Sequence, residues 1–291
     1  MTGRVEIRQI AYSDATLALH DPGFLLLDSR DNPRPDWWEY WPIRRFLATR
    51  PLADDTWYGF VSPRFREKTG LPATDAIAFV ADAIRAEPPA DVVLFSPQVD
   101  LGAFFLNLFE QNELFDPGFA AIAERTFAAI GAPVRLAGLL MDSRQVVVSN
   151  YFVARPAFWH AWSDLCERIF RLCEDETAGE REATGEGASE RAALRALLTA
   201  STSYKGGAQR KIFLIERVAS LLLATEPRWR TRAYDPYRLA WSATRLNRFA
   251  HEAVLSDALK IAARETGHPE FMHAYARVRE ILRQPDPRGP D

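Results

Sequence analysis

Apolar positions along this chain recur with two different periods, and their alternation predicts an α/β fold. Residues 5–12 (VEIRQIAY) alternate apolar and polar side chains as a half-buried strand does. A second short apolar run, FLLLD at 24–28, ends on an acid. Pro33 and Pro35 then interrupt the chain, and Asp36 is placed to cap an aromatic helix over 36–46. Residues 56–62 (TWYGFVS) are rich in strand formers and lead into a polar, basic loop, PRFREKTG. A helical period carries Ile77, Val80, Ala81 and Ile84 on one face over 75–86. DVVLFSP at 91–97 is a continuous apolar run, as suits a strand buried on both faces. Helices at 101–112 and 117–130, strands at 136–142 and 146–154, and a helix over 156–173 complete the series.

Strands alternating with helices predict an open, largely parallel sheet. Ligands in such sheets sit beyond the carboxyl ends of strands, near a switch in strand order. That rule points to Asp28, to Ser62 through Arg66, to Ser96 and Pro97, and to Asp142 and Ser143. The predicted organisation is an α/β core over 1–175 and a flexible linker over 176–193, where the composition turns small, acidic and glycine-bearing. A mainly helical part over 194–284 is expected to complete the core, and the tail 285–291 to be disordered.

Composition narrows the classes. With 291 residues, 47% of them hydrophobic, the chain can bury one large core or a core plus a helical extension. A formal net charge of −3 lacks the field that holds a phosphate backbone, which argues against nucleic acid as a partner. Cys166 and Cys173 lie two helical turns apart, roughly 10 Å, too far for a disulfide. The five histidines show no zinc-ligand spacing. Neither a signal peptide nor an apolar run of about 20 residues is visible, so a cytoplasmic location is expected. The amphipathic C-terminal helices fit packing on the core, dimerisation, or peripheral docking at the inner face of a membrane.

Four constellations could carry chemistry. In the run Asp36 to Arg44, Trp37, Trp41 and Arg44 share a stripe, while Trp38 and Glu39 face elsewhere. This run either packs an aromatic helix on the sheet or borders a sugar or base pocket with Trp38 or Tyr40, Glu39 accepting from hydroxyls. Gly59 inside a strand suggests close approach by another group. The cations after it (Arg64, Arg66, Lys68) form a solvated loop or neutralise a diphosphate. Asp142 at a strand end and Asn150 within an apolar strand need partners, from the backbone or from a ligand. Glu216 and Arg217 interrupt the apolar helix that follows Lys211. They form an internal salt bridge, or Glu216 serves as a general base with Lys211 or Arg217 near phosphate.

In this order the four segments resemble compact bacterial glycosyltransferases encoded in lipopolysaccharide and capsule gene clusters, over roughly residues 5–235. The resemblance rests on Asp28 to Asn32, the aromatic helix 36–46, Tyr58-Gly59 leading to Arg64, the strand 91–97, Asn150 to Arg155, and Glu216-Arg217. It implies a Rossmann-like, GT-A type sheet and sugar transfer from a nucleotide-diphosphate donor to a glycan or lipid-linked acceptor. Asp28, Asn32, Glu39, Arg64 and Asn150 would line the donor side. Ser62-Pro63 stands where related enzymes often show His-Tyr, and Asp-x-Asp, which holds Mg²⁺ or Mn²⁺ in many of them, does not occur. Either Asp142 serves a metal without a close acidic partner, or Arg64, Arg66 and Lys68 replace it. The expected base is Glu216 first and Asp142 second. The alternative is a non-catalytic glycan-assembly or scaffolding protein that keeps the fold.

Overall fold

The computed structural model describes residues 3–97, 99–174, 186–204, 207–242 and 249–283. Six strands form one mixed sheet: β1 (Arg4–Ala11), β2 (Leu25–Asp28), β3 (Thr56–Val61), β4 (Val92–Leu94), β5 (Phe152–Ala154) and β6 (Thr231–Ala233), in the order β2-β1-β3-β5-β4-β6. The pairs β1–β2, β1–β3 and β4–β6 are parallel, while β5 runs antiparallel to both β3 and β4. The carboxyl ends of β1, β2, β3 and β4 and the start of β5 therefore share one edge. The chain leaves β1 for β2 on one side and returns to β3 on the other, so a switch point lies beside β1.

Period-two alternation buries both faces of the central strands. Tyr58 and Phe60 of β3, Val92 and Leu94 of β4, and Phe152 and Ala154 of β5 join one core cluster. Trp57 and Val61, Val93, and Val153 join the other. Helices α2 (Tyr40–Thr49), α7 (Phe119–Ala129), α8 (Pro156–Glu174) and α10 (Arg210–Thr225) contribute to the first cluster. Helices α3 (Phe65–Thr69) and α4 (Ala73–Arg85) contribute to the second. Each large side chain sealed this way contributes about 1.5–3 kcal/mol. Gly59 is explained by packing: a Cβ there would stand 2.7 Å from Val153 Cγ2 on β5.

Several expectations need correction. Residues 136–142 form no strand, because Gly138 takes φ +80° and turns the chain. The strand expected over 146–154 shrinks to Phe152–Ala154, since Ser149 (φ +61°) and Asn150 (φ +53°) are left-handed and cannot extend a ladder. The basic loop after β3 is the short helix α3. The aromatic helix is split: a 3-10 turn, Pro35–Trp37, precedes α2, whose N-terminal flank is Glu39 rather than Asp36. The sheet is mixed, and the C-terminal part supplies an edge strand, β6, that its polar sequence concealed.

Residues 176–185 of the expected linker lie outside the described residues, and from Glu186 the chain is helical in α9 (Glu186–Thr199). The tail 285–291 also lies outside them. Helices α11 (Ala250–Thr266) and α12 (Pro269–Arg283) pack together, and α11 lies on α5 (Val99–Phe104). Among the described residues, no helix is long and apolar enough to cross a membrane.

Candidate functional site

The carboxyl edge of β1 and β2 opens into a cavity of about 430 Å³ lined by Tyr12, Ser29, Arg30, Asn32, Trp38 and Glu39 among others. The chain between β2 and α2 shapes its wall. Asn32 Oδ1 accepts from the Arg34 amide at 2.8 Å, a turn of the kind Asn-Pro sequences favour. Trp37 is fully buried against Phe170 and Tyr40. Trp38, the next residue, takes φ +46° and ψ −132°, a conformation that costs a non-glycine residue about 1–3 kcal/mol. One tryptophan anchors the segment inward and the other is held out at the cavity. Glu39 then starts α2.

Beside this cavity stand residues that follow β3 and precede β5. Lys68 on α3 donates to Ser149 Oγ at 2.9 Å and stands over the rings of Tyr151 (5.5 Å) and Trp241 (5.2 Å). Arg64, at the N-terminal flank of α3, pairs with Glu67 at 2.7 Å and lies 5.1 Å from the Trp241 ring. The buried Tyr151 hydroxyl hydrogen-bonds Ser62 Oγ. Asn150 is 4% exposed, and among the described residues its Oδ1 has no hydrogen-bond partner. Among the described residues, the only non-glycine positions with positive φ are Trp38, Ser149 and Asn150. All three border this edge, where held strain marks a site over-determined by its surroundings.

Two carboxylates meet here. Glu39 and Glu216, the latter on α10, are half-buried, and neither has a hydrogen-bond or ion-pair partner among the described residues. Protein surrounds each on most sides while solvent still reaches it, as on the floor of a cleft. Burial, and after it repulsion from Glu216, pushes Glu39 up to about 7, with Lys68 opposing. Burial also raises Glu216, against the pull of Arg217 and Lys68. Lys68 is lowered by burial while both glutamates draw it back up. The same charges reach Tyr12 and Tyr151: both phenols are raised, chiefly by burial and then by Glu39. The arrangement offers two acceptor carboxylates, one titrating near neutrality, with Lys68 acting on both and Arg64 beside Lys68.

Of the residues singled out in the sequence, Asn32, Trp38, Glu39, Arg64, Lys68, Asn150 and Glu216 gather at this edge. Others have different occupations. Asp28 is exposed and paired with Arg30 at 2.7 Å, which turns Arg30 toward the cavity wall. Arg66 is exposed. Ser96 Oγ accepts from the Val148 amide at 3.0 Å. Tyr40 is buried and donates to Glu167 at 2.9 Å, so it does not border the pocket. Lys211 is buried between Asp36 (2.7 Å) and Glu174 (3.6 Å), over the Trp37 ring. Arg217 points into the core, donating to Leu108 O (2.9 Å) and to the amide oxygens of Gln111 and Asn112.

Asp142 belongs to a separate network. It is fully buried, with one oxygen 3.0 Å from Arg144 and the other 3.5 Å from Arg264. With both oxygens held by guanidinium groups it does not fit a metal site, and no base role suits it either. No group of three or more His, Cys, Asp or Glu gathers as metal ligands among the described residues. The sequence alone gives no individual role to Tyr12, Arg30 or Tyr151; Tyr12 and Arg30, one or two residues past strand ends, fall under the same strand-end rule that points to Asp28 and Ser62. The chain matches no protein-family model, no curated protein and no solved structure.

Proposed function

We propose that the protein is a glycosyltransferase acting on a nucleotide-diphosphate sugar, with Glu39 as the general base. The observation that carries this reading is the Glu39 carboxylate, without a partner among the described residues, poised near neutral pH beside Glu216 and within the field of Lys68. A base works best when its pKa lies close to the working pH. The open α/β sheet with its site at the carboxyl edge is compatible with the GT-A type architecture that the sequence resemblance implies.

In the step envisaged, the acceptor hydroxyl gives its proton to Glu39. Its oxygen forms the new bond to the anomeric carbon, and the bond from that carbon to the phosphate oxygen breaks. The nucleoside diphosphate leaves with the electron pair. Lys68 and Arg64 stabilise the charge that develops on it, an effect usually among the largest in such reactions. Glu216 keeps Glu39 basic by repulsion. Charge compensation comes from these cations of the chain itself. The acceptor would be a growing surface glycan or its lipid-linked form.

The experiment is turnover of UDP-, GDP- and dTDP-sugars by wild type, Glu39→Gln and Lys68→Met, with circular dichroism verifying the fold. Loss of a positioned base lowers the rate about 10²–10⁴-fold. A Glu39→Gln enzyme that turns over donor at the wild-type rate removes the assignment. Donor binding without turnover in wild type would instead favour the non-catalytic assembly protein.

A further inference from the structure

Beside the two carboxylates lies a feature that donor chemistry leaves unused. Trp38 is held outward by its strained backbone and keeps 36% of its surface exposed; Tyr204 keeps 51%. Their ring centroids are 6.4 Å apart at an interplanar angle of 51°. Tyr204 also stands edge-on to Phe213 of α10, at 5.4 Å. Phe213 and Glu216 are three apart on that helix and so share a face, while Trp38 directly precedes Glu39. The segment bearing Tyr204 is tied down by the Thr202 amide to Ala208 O (2.9 Å) and by Ser203 Oγ to Phe115 O (3.1 Å). Two open aromatic rings thus adjoin two carboxylates that have no partner among the described residues.

We propose that the Trp38–Tyr204 pair is the shelf for a pyranose ring of the acceptor glycan, with Glu39 and Glu216 accepting its hydroxyls; this rests on the glycosyltransferase reading and names its second substrate. A pyranose presents an apolar face of C–H groups and a rim of hydroxyl donors. Aromatic rings match the face, because their negative π surface attracts the C–H edge. Carboxylates are acceptors only and match the rim. A nucleotide suits this end of the site poorly, since its phosphates would meet Glu39 and Glu216 with like charge. Its diphosphate fits the Lys68 and Arg64 side, which leaves the aromatic shelf to a neutral polyol. Strain at Trp38 gains a purpose on this account: a relaxed backbone would let the indole fold away from the cavity.

The test is direct binding, independent of turnover. Methyl pyranosides of glucose, galactose, mannose, rhamnose and N-acetylglucosamine are titrated by saturation-transfer-difference NMR against wild type, Tyr204→Ala and Tyr204→Phe. In wild type the Trp38 indole N–H resonance of nitrogen-labelled protein is followed as well. At least one pyranoside is expected to bind through its C–H face and shift that resonance. Loss of the ring in Tyr204→Ala should weaken binding roughly three- to tenfold, while Tyr204→Phe stays within about twofold. The proposal is overturned if no pyranoside binds, if the Trp38 resonance does not move, or if Tyr204→Ala binds as wild type does. Thermal shift with nucleotide sugars, run in parallel, separates the two readings. Pyranoside binding without any nucleotide shift removes the donor assignment and keeps the shelf; a nucleotide shift without pyranoside binding does the reverse.

Discussion

At the scale of single residues, the site holds groups that stability alone would not select. A carboxylate placed where it has no partner costs free energy unless its proton stays on. Glu39 meets that cost by titrating near 7, about where the cell works. The sign of its effect on stability follows. In the unfolded chain Glu39 ionises near pH 4.3 and in the folded one near 7, so between those values the unfolded state sheds its proton first. Stability therefore falls, on account of Glu39, as pH rises from about 4 to 7. Glu39→Gln removes the charge. Denaturant melts should show the variant more stable than wild type by about 1–3 kcal/mol at pH 8, with the gain vanishing near pH 4. An equal gain at both pH values, or a loss at pH 8, would place Glu39 among ordinary surface carboxylates. The same variant is expected to lose turnover, so stability and activity should move in opposite directions.

At the scale of elements, α10 sets the tuning. It is buried along most of its length, so Glu216 cannot move far from Glu39 without unpacking Ile212, Ile215 and Ala219. Arg217, the next residue, is turned inward to Leu108, Gln111 and Asn112, and this fixes the rotation of the helix. Neutralising Glu216 removes one of the two influences that raise Glu39. In Glu216→Gln the acidic limb of the pH–rate profile should therefore move to lower pH. Turnover measured from pH 5 to 9 checks this; an unmoved limb would mean that Glu216 does not couple to the base.

Much of this scale is legible in the sequence. The alternation in β1, the strand formers of β3, the apolar run of β4, and the helical periods of α4 and α8 all correspond to elements in the fold. Other features hide for identifiable reasons. The apolar run 136–142 resembles a strand, but one left-handed glycine turns it. Thr231–Ala233 carries no apolar pattern because it is a three-residue edge strand exposed along one side. Glu216 and Asp142 stand out in the sequence as candidate bases because they are acids inside or at the end of apolar runs. Which acid lacks a partner is a property of tertiary structure: Asp142 is held by Arg144 and by Arg264, 122 residues away, whereas Glu216 and Glu39 have no ion-pair partner among the described residues.

At the scale of the molecule, the C-terminal third is built into the fold rather than appended to it. β6 pairs with β4, Leu239 enters the same core cluster as Val80, and α10 brings Glu216 to the site. The attachment of α11 rests on a buried lysine. Lys260 donates to Phe105 O at 2.8 Å, to Met141 O at 2.7 Å and to Gly102 O, holding α5 and the turn before Asp142 at once. Asp257 accepts from the Ser143 amide at 2.7 Å, and Arg264 donates to Leu140 O at 2.6 Å, one turn away on either side. Burial lowers the ammonium to about 8, so at pH 7 it is still charged and all three of its donors are used. Lys260→Met fills much of the same space but leaves three buried carbonyls without a donor. Such groups cost about 1–3 kcal/mol each when unpaired, partly offset here because a buried charge is also removed. A net loss of about 1–3 kcal/mol is expected, lowering Tm by about 2–4 °C per kcal/mol. The form of the melt decides more than its midpoint. Because the core clusters join residues from β1 to the segment after β6, wild type and Lys260→Met should each unfold in one transition that calorimetry and near-ultraviolet circular dichroism report together. An early, separate transition in the variant, with the nucleotide-sugar thermal shift intact above it, would show that α11 and α12 form an independent unit outside the cooperative core.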